Sequence, residues 1–278
     1  MNNINIISAN CNQGQTKNGV MNGPDIITDI INEIFNNPNS KSDKLSKMNN
    51  IIIPNNFFSN NDGYKLLFDS HSKMLNTSST SSYPVITLGG DHSIGHSTVS
   101  SSLSKFNDDL IVIWIDAHAD LNTHETSITK NTHGMPVSGL IGLEYNWISS
   151  SIPILKPENL IYFGIRDLDQ AEVNFIHNLG IRSFMHLDEL TKYLDQLDLT
   201  NRKIHISFDI DSLDPSYLNS TGTLAPGGLK PSDVIDLYRY IKSKTNIVAL
   251  DIVELNPELG DLDLSKSTLR KILEDILV

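Results

Sequence analysis

Asp116, His118 and Asp120 stand at alternate positions at the end of LIVIWIDAHADLN (residues 110–122). In an extended chain, side chains at i, i+2 and i+4 share one face. Two hard carboxylates and an imidazole on that face suit a divalent cation. Taken alone, D-x-H-x-D reads equally as a polar loop whose acids face water. Residues of the same kind follow other apolar runs, however. His92 comes after 84–88, Asp209 and Asp211 after 204–208, and Glu254 ends the run 247–253. His92, Asp116, His118, Asp120, Asp209 and Asp211 together offer six ligands. Four aspartates crowded at one place repel unless cations sit among them. An oxygen-rich set with two imidazoles suits two divalent ions sharing bridging carboxylates, Mn²⁺ ahead of structural zinc.

For these groups to meet, the runs that carry them must lie side by side. Residues 110–115 form a continuous apolar run rich in Ile and Val, the pattern of a strand buried on both faces of a parallel sheet. Residues 4–8, 84–88, 160–165, 204–208 and 247–253 read as further strands. The Asn-, Ser- and Lys-rich stretch 36–61, interrupted by strand-like 51–53, is expected to be mostly solvated loop, as is the Ser/Thr run 77–82. Residues 12–23 (NQGQTKNGVMNG) are a loop whose glycines mark its turns. Pro24 and Asp25 open a helix with Ile26, Ile27, Ile30, Ile31, Ile34 and Phe35 on one stripe. Residues 233–242 and 265–277 are predicted helices, the last with Leu269, Ile272, Leu273, Ile276 and Leu277 at helical spacing. Strands alternating with helices predict an α/β fold, a mostly parallel sheet with helices on both faces, as one domain over 1–278. The carboxyl ends of such strands share one edge, where open parallel sheets bind ligands. Arg166, Asp167 and Asp169, after 160–165, fall there as well.

At 278 residues the chain can bury a substantial core. Its net charge of −12, with no Lys/Arg cluster, repels phosphate backbones and argues against a nucleic-acid partner. Part of that acidity is what metal ligands would contribute. The single cysteine, Cys11, rules out an intramolecular disulfide and points to a reducing compartment; burial is its expected role. MNNINIISAN has neither the pattern of a signal peptide nor that of a mitochondrial presequence, and no run reaches transmembrane length. A cytoplasmic protein without membrane partners is expected.

GGDH (89–92), DAHADLN (116–122), HGMPVS (133–138), SFDIDSLDP (207–215) and LDIVELNP (250–257) resemble, in order, segments of the binuclear manganese ureohydrolases. The Asn closing DAHADLN and the HGMPVS segment are closer to the arginases than to the agmatinases, and NQGQTKNGVMNGP resembles the arginase N-terminal loop. The resemblance implies a three-layer α-β-α fold with about eight strands. It implies two Mn²⁺ per subunit, one held by His92, Asp116, Asp120 and Asp209, the other by Asp116, His118, Asp209 and Asp211. The implied reaction is hydrolysis of L-arginine to L-ornithine and urea by a metal-bridging hydroxide, in arginine metabolism or the urea cycle. Asp120 would also orient the hydroxide, His133 would shuttle the proton, and Glu254 would pair with the guanidinium. Asn122, Ser127 and Thr129 match the α-carboxylate site, Asp169 and Glu172 the α-amino site, and Thr223 lies near the guanidinium. A homotrimer or hexamer is implied too.

Three departures stand out. Thr129 replaces a usual serine, Lys130 replaces a small residue and is expected to point into water, and TGTLAPGG (221–228) differs after Thr223. The alternatives are an agmatinase or another guanidino-substrate amidinohydrolase, and a catalytically silent, metal-stabilised binding protein. Asp91 and Asp214 read as turn organisers, and Asp251 as a partner of the ligands. His71, His96, His124, His177, His186 and His205 read as surface or hydrogen-bonded core residues, Trp114 and Trp147 as packing.

Overall fold

Eight strands form one sheet: β1 (Asn3–Ala9), β2 (Lys47–Ile53), β3 (Val85–Gly89), β4 (Leu110–Ile115), β5 (Leu160–Phe163), β6 (Arg182–Phe184), β7 (Lys203–Asp209) and β8 (Asn246–Val253). Their order is β2-β1-β3-β8-β7-β4-β5-β6, and every neighbouring pair is parallel. This computed structural model describes residues 3–37, 47–77 and 83–277. The helices are α1 (Gly23–Asn36), α2 (Asp62–Thr77), α3 (Gly95–Phe106), α4 (Pro136–Leu140), α5 (Gln170–Leu179), α6 (Leu187–Leu194), α7 (Pro231–Lys244) and α8 (Leu262–Leu277).

Alternation along the strands sorts side chains into two cores. Ile4, Ile6, Ile111, Ile113, Ile204 and Ile206 pack with the stripes of α1, α6, α7 and α8. On the other face, Val112, Trp114 and Tyr162 pack with Val99 and Leu103 of α3 and Val137 and Leu140 of α4. There Ile7 and Val85 meet Tyr64, Leu67 and Met74 of α2. Each such side chain contributes about 1.5–3 kcal/mol on burial, which holds the sheet flat-on between helical layers. Among the described residues, no helix is long and apolar enough to cross a membrane.

The order of strands decides where chemistry can happen. β3 and β4 are not neighbours, because β8 and β7 insert between them. The four central carboxyl ends therefore belong to β3, β8, β7 and β4, the strands that precede His92, carry Glu254 just beyond their end, and lead to Asp209 and Asp116.

The expected loop over 36–61 is corrected in part. Residues 47–53 form a full strand at the sheet edge, and Asn55–Asn60 a 3-10 turn, while 38–46 lie outside the described residues. Polar residues are tolerated in β2 because they pair laterally: Asn49 Nδ2 donates to Asn5 Oδ1 (2.9 Å), and Ser8 Oγ donates to Asn50 Oδ1 (3.3 Å). Most of the Ser/Thr run (78–82) also lies outside the described residues. The opposite edge strand, β6, has three residues and mixed exposure, so no apolar pattern announces it.

Behind the metal-ligand edge the backbones of β1, β3 and β8 converge. Gly90 N–H donates to Ala9 O and Glu254 N–H to Gly90 O; a Cβ on Gly90 would lie 1.8 Å from Cys11 O. Gly90→Ala is therefore expected to cost about 1–3 kcal/mol or more by overpacking, seen as a lower melting temperature. Gly134→Ala, where nothing lies within 4 Å, should stay within about 0.5 kcal/mol of wild type. Equal melting of the two variants would show that the crossing is looser than described.

Candidate metal centre

His92 opens a 3-10 turn after β3, with Asp91 capping it through Ser93 N–H. This brings His92 Nδ1 to 3.0 Å from Asp116 Oδ2, 3.1 Å from Asp120 Oδ2 and 3.3 Å from Asp209 Oδ2. Among the described residues, His92 Nδ1 and Asp120 Oδ2 nevertheless have no hydrogen-bond partner. Close approach without hydrogen-bond geometry indicates atoms aimed at a common point. Around an octahedral ion with bonds of about 2.1–2.2 Å, adjacent ligand atoms sit about 3.0–3.1 Å apart. A second group forms beside the first: His118 Nδ1 lies 3.2 Å from Asp211 Oδ2 and 3.4 Å from Asp116 Oδ1. Ligand atoms of His92, Asp116 and Asp209 lie within 4.8 Å of one another, as do those of Asp116, His118 and Asp211. Asp116 belongs to both. Asp209 falls in the first group only; its Oδ1 accepts from Asp211 N–H at 2.8 Å.

The charges explain why this cluster asks for cations. Burial raises Asp120 and then Asp116 repels it further, holding the carboxyl at about 6. Burial, then Asp211 and Asp116, push Asp209 well up. A dication beside them would reverse these shifts. The donor set, its spacing and its orphaned atoms fit two divalent cations.

Surrounding residues fix the ligands. His92 Nε2 contacts Ser207 Oγ at 2.9 Å; Ser207 Oγ donates to Asp251 Oδ2 (3.3 Å), which His205 Nε2 also meets at 2.9 Å. Asp251 is thus the partner expected of it, reached through Ser207. Trp114 is more than packing: its ring stacks on His92 at 4.1 Å, and its Nε1–H donates to Asp116 Oδ2 at 3.0 Å. Neither Trp114 nor Ser207 carries a motif that marks this role. His71 and His205 are hydrogen-bonded core residues. His96 departs from that reading: it is buried and stacked on Trp147, with no hydrogen-bond partner among the described residues, and burial pulls it down to about 3. Cys11 is buried, and Asp91 and Asp214 organise turns by accepting from Gly14 N–H and Gly227 N–H.

The cluster opens into a cleft of about 300 Å³ lined by His92, His118, Asp120, Asp209, Asp211, His133, Glu254, Asn122, Thr129, Asp169, Glu172 and Thr223, among others. Ser127 lines an adjoining pocket that shares Asn122, Thr129 and Asp169. Every residue given a metal, catalytic or substrate role in the sequence analysis, except fully buried Asp116, thus borders this space. Glu254 has φ +70 and Asp120 φ +52, the left-handed region that costs a non-glycine residue about 1–3 kcal/mol. Glu254 Oε1 accepts from His92 N–H (2.9 Å) and meets His133 Nδ1 (3.0 Å). Burial alone would lower the His133 pKa, but the Glu254 carboxylate outweighs it and holds the imidazolium up to about 9. Burial raises Glu172 to about 7 although Asp169 N–H and Leu121 N–H donate to it. Lys130 turns away from the cleft, its Nζ donating to His124 O, and its φ of +61 explains why a small residue suits this position. Arg166 holds the departing 221–228 segment by donating from Nε to Ala225 O (3.2 Å), while Nη1 reaches Ser212 O (3.0 Å).

A profile of the Arginase family matches residues 2–278. The chain belongs to the arginase family. The match includes the closing helix α8, beyond the stretch that the motifs cover. An arginase of Glaciozyma antarctica is 38% identical over 218 residues, 69% of this chain and 62% of that protein. Among solved structures, the arginase of Bacillus caldovelox superposes with a TM-score of 0.84 at 26% identity, covering 100% of this chain and 98% of that one. The Entamoeba histolytica arginase in complex with L-ornithine gives 0.83 at 26%, covering 99% and 97%. The arginase family uses a binuclear metal centre, and the two ligand groups here have the composition for one.

Adding a divalent cation at about 100-fold its Kd should stabilise the fold by about 2.7 kcal/mol and raise the melting temperature by several degrees. Asp209→Ala should lose most of that rise; an undiminished rise would remove Asp209 from the ligands. In cation-free protein the His133–Glu254 pair adds a pH term. The folded pKa of His133 is raised from 6.5, so its stabilisation is whole below about 6.5 and vanishes as pH climbs through about 9. The melting gap between wild type and His133→Asn should therefore close across that window, and a constant gap would contradict the pairing.

Proposed function

We propose that this chain hydrolyses L-arginine to L-ornithine and urea with two Mn²⁺ ions as cofactor, as a cytoplasmic homo-oligomer, trimer or hexamer. The observation that carries the reading is the contact between His133 and Glu254 at the wall of the cleft that holds both ligand groups. His92, Asp116, Asp120 and Asp209 would hold one cation; Asp116, His118 and Asp211, with Asp209 bridging, the other. Bound there, the two cations would supply Lewis acidity that brings the pKa of a water toward neutrality.

The chain's own groups do the rest. Asp120, in van der Waals reach of His92 and facing the cleft, would both help to hold a cation and accept a hydrogen bond from an attacking water. Glu254 takes the substrate guanidinium in a charge-assisted contact, and Thr223 lines the same cleft. His133, held against Glu254, delivers a proton from its imidazolium to the departing amine. Asp169 and Glu172 face the α-amino group. Ser127 Oγ accepts from Lys130 N–H and Thr129 Oγ1 from Asn131 N–H, so both hydroxyl hydrogens remain to donate to an α-carboxylate. Asn122 completes that end, although its Nδ2–H donates to Asp169 Oδ2 at 2.9 Å. Neutral donors at the far end of an acidic cleft favour an amino acid over the decarboxylated diamine-like substrate.

Manganese-loaded protein is expected to release urea from arginine faster than from agmatine. The reverse preference would make it an agmatinase, and no urea from either would leave a metal-stabilised binding protein. His133→Asn should keep its metal and lose about 10²–10⁴ in kcat; an unchanged rate would take His133 out of the reaction.

A further inference from the structure

Glu254 has its hydrogen-bonding capacity almost filled by the protein. Oε1 takes two partners, His92 N–H and His133 Nδ1, leaving no further lone pair. Oε2 takes one: the side-chain amide of Gln15, whose Nε2–H donates to it at 2.7 Å across 239 positions of sequence. One lone pair of Oε2 is left.

Gln15 lies in the glycine-marked loop before α1, and that loop is anchored to each wall around it. Gly14 N–H donates to Asp91 Oδ2 at 2.8 Å, and His133 N–H donates to Gly14 O at 3.1 Å. Asn256 Nδ2–H donates to Asn18 O at 2.7 Å, and Lys17 Nζ donates to Gly222 O, next to Thr223. Gln15 is thus held from both sides while its amide rests on a carboxylate that is almost wholly buried on a strained backbone.

We propose that Gln15 is a positioning residue for the guanidinium end of the substrate: it fixes the Glu254 carboxylate so that a single Oε2 lone pair faces the incoming N–H. The inference rests on the arginine-hydrolysing reading above. A carboxylate with two partners on one oxygen and one on the other cannot swing to offer both oxygens, so recognition is by one N–H, and the amide decides which direction it comes from. Without Gln15 the carboxylate gains freedom about its terminal torsion, and the contact that orients the guanidinium carbon loosens.

The test is steady-state kinetics on the manganese-loaded full chain with Gln15→Met, which keeps the volume and removes the donor, and with Gln15→Glu, which sets like charges together. For Gln15→Met, KM for arginine should rise about tenfold, the loss expected for one hydrogen bond to a charged group, while kcat changes less. Inhibition by L-ornithine, which has the amino-acid end and no guanidinium, should stay within about twofold, as should the cation-induced melting shift, each short of the tenfold that one such bond is worth. Gln15→Glu should be worse than Gln15→Met. Lys17→Met, which releases another anchor of the same loop, should leave KM within about twofold, below the same mark. An unchanged arginine KM in Gln15→Met overturns the assignment. So does a parallel loss of ornithine inhibition, or an equal effect of Lys17→Met, since either would make the loop as a whole responsible. Wild-type protein that releases no urea would overturn the functional reading and this one together; active wild type with an indifferent Gln15→Met would sink this one alone.

Discussion

Like charges forced together at a buried sheet edge are the constraint on which the rest depends. Asp116, Asp120, Asp209 and Asp211 are all buried, and they meet within reach of two imidazoles. In water their repulsion would be modest; in the interior it rises several-fold. A fold carries such a cluster only if its scaffold is rigid and its charge is met. The scaffold is rigid because four parallel strands with dry cores on both faces hold the backbones that present these groups. The orphaned His92 Nδ1 and Asp120 Oδ2 belong to a cluster whose composition fits cations that would meet that charge.

From that requirement the surrounding polar groups follow. Trp114, Ser207 and Asp251 do not touch the cleft, yet they hold the His92 ring by stacking on one face and by a hydrogen-bond chain at its far nitrogen. This fixes which nitrogen faces the ligand cluster. Glu254 and His133 stand one step further out. They share a proton-bearing contact and border the space a substrate would fill. Positive φ angles at Asp120 and Glu254 place strain where aim matters most, and the converging backbones at Gly90 hold Glu254 there.

Much of this was legible in the sequence because the six candidate ligands stand at or within a few residues of the ends of just three strands, β3, β4 and β7. An apolar run sets a strand, the strand's end sets an edge, and residue type at that edge declares the chemistry. The α1 and α8 stripes and the strands β3, β4, β7 and β8 were readable for the same reason: buried elements have period and composition. The edge strands were not. β2 carries Asn49 and Asn50, which pair sideways, and β6 is too short to show alternation.

Residue types and their order along the chain by themselves pointed to the α/β class and to a set of candidate ligands, because those depend on local spacing, while His133 became an acid–base candidate through the resemblance of its motif. Strand order was decided only in three dimensions. The insertion of β8 and β7 between β3 and β4 brings Glu254 beside His92 and His133, and no local pattern encodes which strands become neighbours. Tertiary structure likewise turned Trp114 from a packing residue into a partner of two ligands. It also brought Gln15, from a loop near the start of the chain, onto a carboxylate near its end. Such contacts join side chains whose partners lie far along the chain, and only the closed fold supplies the distance between them.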